Sequence, residues 1–306
     1  MKWTTEIAAA YERIVPYIRR TPALQISLLN LPDPVWFKLE HLQHTGTFKA
    51  RGAFNTLLST AVPAAGLVAA SGGNHGAAVA FASHRLGHKA HIFVPELAGA
   101  AKIKLIKATG ANLTIVPGTY ADALAAALAY ETETGAMQIH AYDAMPTVAG
   151  QGSTMLEWEA QGLRADTVLI AVGGGGLIAG AMAWLQGRRK VVSVEPETSC
   201  ALKAGLAAGC PVDVEISGIA ANALGARRIG QICYDLAQDQ TIEALTVSDQ
   251  AIVAAQRLLW QNLRQFVEPA GATALAALIC GAYLPAKGER VGILICGANP
   301  APDPFL

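Results

Sequence analysis

"TVLIAVGGGGLIAGAMAWLQG", residues 167–187, carries no charged side chain anywhere along its length. An uncharged run of this size is long enough for a membrane span. The consecutive glycines Gly173, Gly174, Gly175 and Gly176 argue against one. Each glycine inside a helix costs roughly 1 kcal/mol relative to alanine, so the run divides into a strand, a loop and a helix. The strand half is continuously apolar, as in parallel sheets covered on both faces.

The same unit repeats along the chain. "GLVAAS" (66–71), "AHIFVP" (90–95), "ANLTIVPG", "KVVSVEP" and "ERVGILICGAN" read as strands. Between them "HGAAVAFASHRLG", "AGAAKIKLIKATG", "ADALAAALAYETETG" and "LIAGAMAWLQG" read as helices, several closed by glycine. The fold class predicted is α/β with two open parallel-sheet domains. One domain takes residues 1–52 and 145–306. The other, 53–144, is inserted into it, since no Pro- or Ser-rich linker separates the two. Right-handed crossovers place the functional loops at the carboxyl ends of the strands.

Composition narrows the function classes. The 306 residues are 52% hydrophobic and 15% charged, enough for a large core and too apolar for disorder. Lys plus Arg equals Asp plus Glu, 23 against 23, so no global field steers nucleic acid or an anionic membrane. A small-molecule partner is expected. The five cysteines, Cys200, Cys210, Cys233, Cys280 and Cys296, have no CxxC spacing and read as reduced thiols of a cytoplasmic protein. Glu6, Glu12 and Arg13 stand where an export signal needs its apolar core.

Three loops carry polar or glycine-rich chemistry. Gly173 to Gly176 let the backbone approach an anion at a helix start, where free N–H groups and the helix dipole stabilise phosphate. A tight strand-to-helix turn is the plainer alternative. No Gly-Lys-Ser/Thr follows, and no frame fits G-x-G-x-x-G. Glu195 nevertheless ends a strand about twenty residues on, as a ribose-binding acid would. "ASGGNHG", 70–76, offers a second nest of backbone donors for a carboxylate or phenolic oxygen, or simply a helix cap. "CGAN", 296–299, ends the last strand.

Lys49, in "TGTFKARGAFN" (45–55), is the remaining candidate. An isolated lysine is usually a solvated cation. Next to an aromatic and near two anion-binding loops, a desolvated lysine has a lowered pKa and serves as nucleophile and base. "KLEHLQHTGTFKARGAFN", "SGGNHG", "GGGGL", "EPAGA" and "CGAN" occur here in order, and together they resemble the fold-type II pyridoxal-phosphate enzymes, specifically the serine/threonine dehydratase and serine racemase family. The resemblance covers almost the whole chain.

That resemblance implies a tryptophan synthase β-like fold, with pyridoxal 5'-phosphate in the cleft between two domains. Lys49 would hold the cofactor covalently and Phe48 would lie against its ring. Gly173, Gly174, Gly175, Gly176 and Leu177 would bind its phosphate, and Asn74 its phenolic oxygen. Ser71, Gly72, Gly73, Asn74 and His75 would hold the substrate carboxylate. Glu268 would lie near the ring, and Cys296 would face the pyridine nitrogen. A thiol cannot keep that nitrogen protonated as a carboxylate would, which favours loss of a β-substituent over transamination. The implied reaction converts a β-hydroxy amino acid such as threonine or serine to a 2-oxo acid and ammonia. The implied assembly is a homodimer.

Departures from the family pattern refine this. Racemases carry serine where this chain has Gly72, and glycine has no proton to give, so elimination is favoured over racemisation. Many relatives bind a cation through an acid at the position of Glu195 and a second one six residues later. Here the second is Ala201, and no metal is expected. His84 and His88 have i, i+4 spacing, but Arg85 replaces the glutamate of a zinc helix and Gly87 interrupts it. His41 and His44 precede the lysine loop without a demanded role. Biosynthetic threonine dehydratases carry a C-terminal regulatory domain, whereas this sequence stops at Leu306. Serine, threonine, 3-hydroxyaspartate and aryl-serines all stay compatible as substrates, although the lack of arginine in "SGGNHG" disfavours a second carboxylate. Serine racemase, 3-hydroxyaspartate dehydratase, a nucleotide-binding oxidoreductase and a non-catalytic binding protein are the competing readings.

Overall fold

The computed structural model describes residues 2–27, 33–96, 98 and 100–299. Leu306 and Gly99, the second residue of the expected helix "AGAAKIKLIKATG", lie outside the described residues.

The larger sheet contains β1 (Ala23–Ile26), β2 (Val35–Leu39), β7 (Thr167–Ala171), β8 (Lys190–Pro196), β9 (Glu243–Val247) and β10 (Val291–Ile295), in the order β1-β2-β10-β7-β8-β9. The smaller contains β3 (Leu67–Ala70), β4 (Ala90–Pro95), β5 (Asn112–Val116) and β6 (Met137–Gln138), in the order β5-β4-β3-β6. The smaller sheet is parallel throughout. In the larger sheet the expectation of a parallel sheet needs one correction: β1 pairs antiparallel with β2. The short connection across residues 27–34 explains this, because a parallel return needs a crossover of a dozen or more residues.

All five residues of β7 and all five of β10 are buried, as expected of strands covered on both faces. Helix α12 (Pro269–Ile279) lies across β10, β7 and β8. On the other side α7 (Gly176–Leu185) packs on α6 (Met145–Ala160), which also meets α1 (Trp3–Ile14) and α2 (Lys49–Ser59). Helix α11 (Asp249–Leu263) packs on α12, α10 (Gln231–Gln240) packs on α7 and α8 (Ala201–Ala208), and the short α9 (Ala221–Leu224) lies between α8 and α10 in the chain.

In the smaller sheet the two-residue period of a strand sorts the side chains. Leu67, Ala69, Ile92 and Val94 face Ala53 and Phe54 of α2 and the alanines of α3 (Asn74–Arg85). Val68, Ala70 and Phe93 face Ala123 and Ala127 of α5 (Tyr120–Thr134). Helix α4 (Ala100–Lys107) joins β4 to β5.

Four ionised side chains hold α2 in place. Arg51 donates to both carboxylate oxygens of Glu40 at 2.8 Å, and to those of Glu157 at 2.9 and 3.2 Å. Lys38 donates to Glu157 at 2.6 Å. None of the four is more than 1% exposed, and two positive charges balance two negative ones. The network ties the first turn of α2 to the end of β2 and to α6 (and hence the lysine at the start of α2).

Candidate active site

Lys49 opens α2 directly after an irregular turn in which Thr45 and Gly46 have φ of 60° and 73°. That turn is fastened to the end of β10: Phe48 N–H donates to Cys296 O at 3.3 Å, and Ala298 N–H to Gly46 O at 2.9 Å. The Lys49 amine is buried, donates to Ala141 O at 2.7 Å and sits 5.3 Å from the centroid of the Phe48 ring. Burial lowers its pKa to about 8, only partly opposed by Cys296. An amine in this state is neutral in a useful fraction near physiological pH.

The glycine loop enters α7 beside it. Gly175 has φ of 93° and precedes the first helical residue, Gly176. The first N–H paired within the helix is that of Ala179, to Gly175 O. The N–H groups of Gly176, Leu177 and Ile178 therefore stay available for an anion. A β-carbon on Gly174 would lie 2.3 Å from the Tyr142 ring, and one on Gly175 would lie 2.5 Å from Cys233 Sγ. Gly173 faces the Leu224 backbone at 2.8 Å in the same sense. The loop is thus made of backbone, and its close packing leaves no room for side chains at these three positions.

At the end of β3, Ser71, Gly72 and Gly73 lead into α3, where Ala77 is the first residue bonded back into the helix. Asn74, His75 and Gly76 present the free N–H groups of its first turn. His75 Nε2 is bonded to Ile139 O at 2.9 Å, and burial lowers its pKa to about 3, so the ring is neutral. Asn74 is clamped from two sides: its Nδ2 donates to Glu268 at 2.6 Å, and its Oδ1 accepts from Asn299 Nδ2 at 2.8 Å. Cys296 is buried, its thiol donates to Ala270 O at 3.3 Å, and burial pushes its pKa far up, so it stays neutral.

Two adjoining cavities collect these groups. A narrow one is lined by Phe48, Lys49, Asn74, Gly173–Gly176, Leu177, Glu268 and Cys296. A wider one, of 280 Å³, is lined by Lys49, Ser71, Gly72, Gly73, Asn74, His75 and Gly174. Every residue singled out in the sequence for cofactor or substrate lies on one of them, and Lys49, Asn74 and Gly174 lie on both.

The model of the family "Pyridoxal-phosphate dependent enzyme" matches residues 14–297. The chain belongs to the pyridoxal-phosphate dependent enzymes. It is 36% identical to a phenylserine dehydratase from Ralstonia pickettii over 301 residues, 96% of this chain and 92% of the relative. The solved structure of the T.th. threonine deaminase superposes with a TM-score of 0.91 at 36% identity, covering 98% of this chain and 99% of the other. Maize serine racemase does so with a TM-score of 0.91 at 30% identity, covering 97% and 93%. The cofactor of the family is pyridoxal phosphate, and the two-sheet α/β fold is the family's own. The glycine loop fits its phosphate: a β-carbon at Gly173, Gly174 or Gly175 would overlap Leu224, Tyr142 or Cys233, so the loop keeps this course only with glycine, and the N–H groups that follow it are free to meet an anion.

Several site residues carry no sequence signal. Ala141, which accepts from Lys49, and Tyr142, packed on Gly174, follow a strand of only two residues, too short for a pattern. Tyr120, Asn222 and Ala223 reach the wider cavity from the starts of α5 and α9. His41, by contrast, is bonded to Gln265 at 2.7 Å, and His44 stacks on Phe81 at 4.8 Å. Neither lines the two site cavities. Glu195 is buried with both oxygens accepting backbone N–H groups of α8, Leu202 at 2.8 Å and Lys203 at 2.9 Å. That occupies the carboxylate as a helix cap, away from the nucleotide-ribose role weighed for it.

Proposed function

We propose that the protein is a dehydratase that removes water from a β-hydroxy α-amino acid, giving a 2-oxo acid and ammonia. The observation that carries this is the buried Lys49 amine standing between a phosphate cradle and a second nest of backbone donors. The names of the relatives support the same class of substrate. Pyridoxal phosphate, when bound, supplies an electron sink for the bonds at the substrate's α-carbon.

The chain's own residues do the rest. Gly173 to Gly176 and Leu177 would hold the phosphate through N–H groups, Asn74 would hold the phenolic oxygen, and Phe48 and Glu268 would lie beside the ring. Ser71, Gly72, Gly73, Asn74 and His75 orient the substrate carboxylate. Lys49 takes the α-proton and passes a proton to the β-hydroxyl, which leaves as water as the Cα–Cβ double bond forms. The enamine that results is hydrolysed to the 2-oxo acid and ammonia. A neutral Cys296 thiol, if it meets the ring nitrogen, would not hold a proton there, which would favour elimination.

Racemisation needs a second acid opposite Lys49. Gly72 supplies none, and a β-carbon there would lie 2.4 Å from the Ala98 β-carbon and 3.0 Å from Val94 Cγ1. Two domains, 1–52 with 145–306 and 53–144, are in keeping with the two sheets. Five free cysteines support a cytoplasmic location, and the exposed pair Trp260 and Phe266 supports a homodimer that covers it. Incubating the holoenzyme with L-threonine, L-serine and β-phenylserine, and measuring 2-oxo acid, ammonia and the D-amino acid, tests the reading. Release of 2-oxo acid and ammonia in equal amounts is expected. D-amino acid without ammonia would replace it with racemisation.

A further inference from the structure

Asn299 closes the "CGAN" loop and is not among the residues that line the two site cavities. We propose that it is a positioning residue. Its amide fixes which end of the Asn74 amide faces the cofactor, so that a donor and not an acceptor meets the phenolic oxygen. This rests on the reading that Asn74 holds that oxygen, and is independent of the substrate.

A backbone carbonyl sets the direction. Asn299 Nδ2 donates to Thr45 O at 2.7 Å and to Asn74 Oδ1 at 2.8 Å. A carbonyl oxygen only accepts, so the end of Asn299 that reaches Thr45 is the NH2 group. The same nitrogen reaches Asn74, which must answer with its own carbonyl oxygen. The Asn74 NH2 group is thereby turned the other way, where one of its two hydrogens goes to Glu268 at 2.6 Å. The second is left for an acceptor in the cavities that Asn74 lines.

The reference carbonyl is itself held. Thr45 belongs to the irregular turn before Lys49, and that turn is bonded to the "CGAN" loop. Ala298 N–H donates to Gly46 O, Phe48 N–H donates to Cys296 O, and Thr47 forms a bridge with Gly297. A β-carbon on Gly46 would lie 2.6 Å from Asn299 Oδ1, and one on Gly297 would run into Glu268. The turn that carries Lys49 and the amide that meets the phenolic oxygen thus share one asparagine. Both of its N–H hydrogens are committed. Aspartate in its place would offer neither, and serine only one.

The choice of donor or acceptor matters to the cofactor's electronics. A donor at the phenolic oxygen favours its ionised form, and an acceptor favours the neutral phenol. In the bound cofactor the first absorbs in the visible and the second in the near ultraviolet.

The test is the ratio of visible to near-ultraviolet absorbance in holoenzymes reconstituted with pyridoxal phosphate. In Asn299→Asp the new carboxylate competes for the Asn74 NH2 group. The ratio should fall by about tenfold, the size expected for losing one hydrogen bond to a charged oxygen. Asn299→Ala, which adds no charge, should move it less and in the same direction. Asn74→Ala should also lower the ratio, and adding Asn299→Asp to it should lower it little further. A merely structural asparagine would not show that coupling. No change in either Asn299 variant, or an equal further fall in the Asn74→Ala background, overturns the proposal and leaves Asn74 at the phenolic oxygen. No change in Asn74→Ala itself removes Asn74 from that oxygen and overturns the proposal with it.

Discussion

Arg51 and Glu157 are joined by two hydrogen bonds, at 2.9 and 3.2 Å, with neither side chain more than 1% exposed. The pair fixes α2 against α6 two residues after Lys49. Glu157→Gln leaves Lys38 and Arg51 facing Glu40 alone. An uncompensated charge in such a place destabilises by about 3–5 kcal/mol. Urea unfolding of the apoprotein should show a loss of that size, and cofactor affinity should fall with it. Unchanged stability would mean that the network does not position the lysine helix.

Two glycines with similar backbones separate strain from cradle geometry. Gly175 and Gly187 have φ of 93° and 75°. A β-carbon on Gly187 meets nothing within 4 Å, whereas on Gly175 it meets Cys233 Sγ at 2.5 Å. Gly187→Ala should cost about 1–2 kcal/mol of stability and leave cofactor binding intact. Gly175→Ala should also weaken pyridoxal-phosphate binding by roughly 100-fold or more, since the N–H groups proposed to hold the phosphate must shift. Equilibrium dialysis of the two variants checks the contrast.

Burial raises the pKa of Glu195 to about 7, against the lowering effect of the Leu202 and Lys203 N–H groups. The folded chain then keeps a proton that the unfolded chain releases near its ordinary value of 4.5. Its stabilising contribution is complete below that value and is lost as pH rises to about 7. Histidines such as His75, lowered to about 3, act in the opposite direction. The difference between Glu195→Gln and wild type isolates Glu195. The melting temperature of the variant should gain on that of wild type from pH 4.5 to 7 and then level off. A constant gap would contradict a buried, protonatable carboxyl.

The Lys49 amine, lowered to about 8, predicts how the apoprotein captures its cofactor. Only the neutral amine attacks an aldehyde, so capture should quicken with pH and level off above about 9. A solvated lysine would keep gaining rate to beyond about pH 10. Stopped-flow absorbance after mixing apoprotein with pyridoxal phosphate distinguishes the two profiles.

Much of this was legible in the chain because the strands concerned are buried on both faces. The runs 90–95, 167–172 and 190–196 are apolar with little interruption, and the glycines near the first two mark the loops. The residues expected on the cofactor side line two cavities from such loops, and their order along the sequence is what singled them out. β1 and β6 were invisible because four and two residues give no period. Ala141 acts through its carbonyl, which any residue possesses. Tyr120 and Tyr142 become wall residues only when β5, β6 and α7 converge, a long-range arrangement that local pattern does not encode. The antiparallel edge depends on the length of one connection and not on the composition of β1.

The most direct measurement asks which atom holds the cofactor. Holoenzyme reduced with borohydride, digested and sequenced by mass spectrometry should carry the pyridoxyl group on Lys49, in the peptide that begins the α2 helix. Lys49→Ala should carry none and should lose both the visible absorbance and 2-oxo acid formation. A pyridoxyl group on any other lysine, or wild-type turnover in Lys49→Ala, would contradict the assignment of Lys49 as the residue that holds the cofactor.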